Sequence, residues 1–333
     1  MRDSLILGCV CLAASSFADE AVFSADGNSV TFVPKNFEAN HLWKLDIGTG
    51  KVEKIALGGA VAKEGVTSLC LGGEGELLLT TGEGVYVQDD KGTRKLAPAP
   101  VKGNLSIKGL AVAPASAAAF ADWLFLSGED AEIENYRILY SRKPGTKAFV
   151  PMFIRRVNRV HAAAFALNGR FFFGGDGDLW EGGFEDMGDG EVVRLGLIGA
   201  RIAPLGFFNT GTSNGGSMYV DQIMVAGEAL YVRLRGHHLS ELVRVPMPAA
   251  SALDEKDAVM SDPAASYRLQ SQLLSKAEVI PTQHFEITIS AATAVGGNEF
   301  LFFRANDDDG IGLYLWDRQS GRAKRIASEI SEE

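Results

Sequence analysis

The feature that most constrains this chain is a unit that recurs near both of its ends. Aligned without a gap, LWKLDIGTGKVEKIA at 42–56 and LYLWDRQSGRAKRIA at 313–327 match Leu42 with Leu313, Asp46 with Asp317, Gly50 with Gly321, Ile55 with Ile326 and Ala56 with Ala327. Trp43 with Tyr314, Thr49 with Ser320, Lys51 with Arg322 and Lys54 with Arg325 are chemically alike. Each copy alternates apolar and polar residues, breaks at a polar turn closed by Gly, and alternates again, which is the pattern of a β-hairpin. Gly closes the turn because it adopts a positive φ without steric cost. Gly48-Thr49-Gly50-Lys51 is therefore read as a turn. A phosphate loop needs Gly where Leu45 stands and Ser or Thr where Val52 stands, with a helix starting there.

Weaker copies fill the interval: VYVQDDKGTRKLA at 85–97, ILYSRKPGTKAFV at 138–150, DLWEGGFEDMGDGEVVRL at 178–195 and the strand HLSELVRVPM at 238–247. Upstream of the copies lie further strand pairs around Gly-containing turns, clearest at 21–34, 161–177, 218–236 and 287–305. The outer hairpins then begin at Leu42, Val85, Ile138, Leu179, His238 and Leu313. Four strands per unit, repeating every roughly 40 to 50 residues, predict an all-β chain folded as a β-propeller. Six four-stranded blades are expected, with seven as the alternative if 196–217 contains unrecognised strands. Between blades five and six, residues 247–282 change composition towards Ala, Ser, Asp, Lys and Gln, and Pro263 interrupts any helix there. This insertion is expected to be a short helical or irregular excursion on one rim, either a lid or partner contact or a loop without a role.

FSADGNSVTF at 23–32 followed by HLWKLDIGTGK at 41–51 resembles the repeat of TolB-like propellers. In that repeat an Asp-Gly turn joins the two inner strands, and an aromatic-rich third strand ends in Asp before a Thr/Ser-Gly turn. The resemblance concerns the structural repeat across the mature chain and brings no catalytic residues with it. It implies a periplasmic address, with secretion to the outside as the alternative.

The first residues support export. Arg2 precedes the apolar stretch Leu5 to Leu12, and Ser16-Phe17-Ala18 places small residues at the two positions read by a signal peptidase. Cleavage is expected after Ala18, leaving 19–333 as a single propeller domain; a lipid anchor at Cys9 or Cys11 is the competing reading. A membrane anchor needs roughly 20 apolar residues, far more than this run, and no later segment approaches that length. After cleavage only Cys70 remains of three cysteines, so no intrachain disulfide can form. The chain carries 42 acidic and 32 basic residues, a net charge of -10, and this average field repels nucleic acid. A monomer is expected.

Chemistry-bearing patterns are few. Gly211-Thr212-Ser213-Asn214-Gly215, with Asp221 and His237 after it, matches a hydrolase nucleophile elbow in residue order. The elbow requires a strand before the Ser and a helix after it, whereas here a Gly/Ser/Asn loop leads into a strand. His41, His161, His237, His238 and His284 are too scattered for metal-ligand spacing. No catalytic residue, metal site or cofactor is assigned. One basic group stands against the acidic average: Arg155, Arg156 and Arg159 in the connector FIRRVNRVH, with Arg233 and Arg235 on one face of a blade-five strand. Guanidinium groups at such a place can fork onto an anionic ligand or pair with neighbouring carboxylates. The sequence thus suggests an exported, non-catalytic propeller that binds a protein partner or an envelope polymer. The alternative is a carbohydrate or small-molecule hydrolase or lyase with its site at the central channel.

Overall fold

The computed structural model describes residues 15–16, 20–33, 41–89, 91–100, 105–130, 137–154, 160, 162–175, 178–187, 195–203, 219–235, 240–253, 275–280, 286–307 and 310–328. A two-residue strand, β1 (Ser15–Ser16), precedes six consecutive sheets, each built on four antiparallel strands. Blade one is β2 (Ala21–Phe23), β3 (Ser29–Phe32), β4 (His41–Asp46) and β5 (Val52–Ala56); blade two is β6 (Ser68–Leu71), β7 (Leu77–Thr81), β8 (Gly84–Asp89) and β9 (Gly92–Pro98). Blade three is β10 (Leu105–Val112), β11 (Leu124–Asp130), β12 (Arg137–Arg142) and β13 (Val150–Pro151). The short β14 (Phe153–Ile154) leads to blade four, β15 (Ala162–Phe165), β16 (Phe171–Gly175), β17 (Asp178–Asp186) and β18 (Leu195–Ala203). Blade five is β19 (Tyr219–Ala226), β20 (Ala229–Arg235), β21 (Ser240–Pro246) and β22 (Glu278–Val279), and blade six is β23 (Glu286–Val295), β24 (Asn298–Asp307), β25 (Gly310–Asp317) and β26 (Arg322–Ser328). The fold is a six-bladed β-propeller.

Residues 195–203 belong to the outer strand of blade four, so this part of the segment held open for a seventh blade is already in use, and the described residues form six sheets. The insertion differs from expectation in its position. It interrupts blade five, between β21 and β22, instead of separating blades five and six. Its centre, including Pro263 and the expected helical face, lies outside the described residues. Blade four also gains strands at both edges: β14 adds in parallel to β18, and β1 adds antiparallel to β15. Among the described residues no helix is long and apolar enough to cross a membrane.

The repeated turn explains why its residues recur. In β4–β5, Gly50 has φ +70° and its N–H donates to the Asp46 carbonyl at 2.9 Å; in β25–β26, Gly321 has φ +64° and donates to the Asp317 carbonyl at 2.9 Å. The aspartate side chain caps the same turn. Asp46 Oδ1 accepts from the Thr49 N–H and hydroxyl, both at 2.7 Å, and Asp317 Oδ1 accepts from the Ser320 N–H at 3.1 Å. Such side-chain caps satisfy turn donors that the ladder leaves over.

Blades pack through apolar faces that the strand alternation creates. Ala162 and Ala164 of β15 face the core shared with blade five, while Ala163 and Phe165 of the same strand face the core shared with blade three. The ring closes without a shared sheet, because all four strands of blade one precede residue 57 and all four of blade six follow residue 285. Side chains make the seam. Phe23, Phe32, Phe302 and Leu313 share one buried cluster, with Phe32 and Phe302 rings 5.5 Å apart. Arg304, 2% exposed, lies 5.6 Å over the Phe32 ring and donates from Nη2 to the Val33 carbonyl at 2.8 Å.

Candidate functional site

All inner strands run in the same direction, and three of them depart from regular pairing near their starts. Register shifts fall between Ile107 and Gly109 in β10, between Val220 and Gln222 in β19, and between Ile287 and Ile289 in β23. Lys108, Asp221 and Thr288 are therefore extra residues at corresponding places in blades three, five and six. Bulges re-aim a side chain away from the regular alternation.

At Asp221 the result can be followed atom by atom. Its carboxylate, 7% exposed, receives Arg233 as a fork, Nε to Oδ1 at 2.8 Å and Nη2 to Oδ2 at 3.1 Å. Arg235, two residues further along the same strand face, brings Nη1 to 4.0 Å from Oδ2 while its side chain stays 60% exposed. Tyr219, directly opposite Arg235 in the ladder, is 38% exposed. Asp221 thus faces two guanidiniums, one in a close fork and one at 4.0 Å. Arg233 is engaged in the fork, and Arg235 stays largely exposed across the ladder from Tyr219. Such a pair can grip a carboxylate or a carbonyl-rich segment, with the ring supplying contact area.

Two other carboxylates, one buried and one part-buried, are occupied by the architecture. Glu181, 1% exposed, takes the Arg170 guanidinium in a fork at 2.7 and 2.8 Å, the Ser251 hydroxyl at 2.8 Å and the Ala252 N–H at 2.7 Å. This ties the start of the insertion to blade four. Glu299 of blade six accepts from Arg244 at 2.7 Å through both oxygens and from the Tyr231 hydroxyl at 2.5 Å, both partners lying in blade five. Burial pushes the Glu299 carboxyl up, but Arg244 and Tyr231 outweigh it and hold the group below its ordinary value. Burial and the Glu299 charge both push the Tyr231 hydroxyl up, so it stays a donor.

Of the five arginines singled out in the sequence, Arg233 and Arg235 come together at Asp221, whereas Arg155, Arg156 and Arg159 lie outside the described residues. Their connector starts from the periphery of blade four, where Phe153 and Ile154 pair with Gly196 and Leu197, and returns to the core at Val160. Ser213 and His237 of the elbow-like pattern are also outside the described residues, and Asp221 is held by Arg233. In the sequence, Asp221 stands out only as the Asp of that elbow pattern. The consecutive polar residues Asp221-Gln222 inside an apolar strand were the available signal of a bulge.

No family model matches the chain, and no curated protein matches it in sequence. Solved structures match it in shape. The tricorn protease superposes on 97% of this chain with a TM-score of 0.53 at 11% identity, and the chain spans 27% of that protein's length. A candidate gluconolactonase gives 0.51 at 12% identity with 92% of each chain covered. The β-propeller domain of Myceliophteria thermophila Cps50 (Swd1) gives 0.53 at 14% identity, over 93% of this chain and 86% of that one. The likeness is one of fold. It places the chain among β-propellers and, at such identities, says nothing of activity.

Proposed function

We propose that the protein is an exported, non-catalytic propeller that binds a protein partner, and that Tyr219 and Arg235 at the strand-start end of blade five form part of its contact surface. The observation that carries this reading is the exposed Tyr219 directly across the ladder from the exposed Arg235, on a strand pair that the Asp221–Arg233 fork joins. Tyr and Arg are the residue types that anchor interfaces, since each combines a large contact area with directed hydrogen bonding. An envelope polymer bearing carboxylates would use the same chemistry. The hydrolase or lyase alternative draws only on fold likeness, because Asp221, Glu181 and Glu299 are each engaged by an arginine fork.

The test is affinity capture from the native envelope fraction with the parent chain and with Tyr219→Ala/Arg235→Ala. The parent should retain a defined protein that the double variant loses, with affinity falling about tenfold or more on direct titration. Equal recovery by both chains, or no specific protein with either, would count against the reading.

A further inference from the structure

Every blade offers the axis one strand edge, the outer side of its first strand. In blades one, two, three, five and six that edge carries no paired strand among the described residues. In blade four it does: Ser15 pairs with Phe165 and Ser16 with Ala164, antiparallel. Besides β15, β1 lies against the inner strands of blades two, three and five, which places it inside the ring, close to the axis. It pairs at Ala164 and Phe165, where the run Ala162-Ala163-Ala164 ends, and the side chains of 162–165 point sideways into the cores shared with blades five and three. Backbone N–H and C=O groups are therefore what this edge presents to the channel, and an unpaired strand edge is a template for another strand.

We infer that the axial edge of Ala162–Phe165 is a strand-addition site for an extended peptide rich in small residues, occupied in this chain by its own Ser15–Ser16. Main-chain hydrogen bonds supply the affinity of such sites, and the room beside the strand sets the selectivity. The occupant lies upstream of Ala18, where cleavage is expected, so removal of the leader frees the edge. The four blade-forming strands of every blade fall within residues 21–328, so the six blades are complete without that segment. This inference rests on the binding reading above and names the kind of segment the partner would contribute.

The probe is a fluorescent synthetic peptide with the sequence of residues 12–20, LAASSFADE. Its anisotropy should rise saturably with the chain beginning at residue 19 and require about tenfold more of the full chain, whose edge is already filled. A peptide with both serines replaced by proline lacks the donors of an added strand and should not bind. Absent binding, equal binding by both chains, or equal binding of the proline peptide would overturn the site. Should the shortened chain fail to fold, amide exchange in the full chain decides: Ser15→Pro/Ser16→Pro should speed exchange at 162–165, and unchanged rates overturn the inference. Partner capture that depends on Tyr219 and Arg235 while remaining indifferent to the peptide would leave the binding function standing and remove only the axial site.

Discussion

Asp46 and Asp317 perform one task at opposite ends of the chain, each taking turn donors onto a single side-chain oxygen. The Thr49 hydroxyl and N–H hold Asp46 below the ordinary 3.8, the Asn298 amide does so for Asp317, and the Ser24 hydroxyl for Asp26 in the first inner turn. A depressed folded-state value means that the stabilisation is complete above the unfolded value and is lost as pH falls through the folded one. Melting temperature should therefore decline as pH falls through and below the ordinary 3.8. Asp46→Ala/Asp317→Ala should begin lower and decline less steeply, and parallel curves would show that the caps contribute nothing. The turn itself was legible in the sequence through its recurring Asp, Thr or Ser, and Gly, while the capping bonds appear only in the structure. The Asp221 fork was not legible, because its function depends on a register shift that no local spacing announces.

At the scale of strands and hairpins, alternation was a sufficient guide where strands are long and one-sided. The third strands begin within three residues of their expected starts, the largest difference being Gly310 for Leu313 in blade six. Alternation failed where a strand is two residues long. β22 has no pattern of its own, so the insertion that precedes it looked like a separator between blades. Contacts between elements were also hidden, since Glu181 meets Ser251 and Ala252 across about seventy residues of chain. Glu181→Gln should leave the Arg170 charge half-buried with no carboxylate and cost about 3 kcal/mol in chemical denaturation. Lys51→Ala, which removes an exposed pair with Glu53, should leave the midpoint unchanged. Comparable effects from both variants would deny the insertion its anchoring role.

For the whole molecule, the blade count followed from the repeat, while the manner of closure did not. Packing across the seam involves Phe32 and Phe302, some 270 residues apart, and apolar residues at such distances carry no sign of which others they will meet. Phe302→Ala removes a fully buried ring at this seam and should cost about 3 to 5 kcal/mol. Fragments cut by limited proteolysis should then arise first at blades one and six. Cleavage beginning instead at blades three and four would place the weak joint elsewhere.

The seam has a consequence for how such a chain can change over generations. A ring clasped by a sheet drawn from both termini has one unit that exists only in halves, and any gain or loss of a unit must respect that division. Here the four strands of every unit are consecutive in the chain. A tandem duplication of one unit would yield a new complete sheet at once, with only the angle between neighbours left to be refitted.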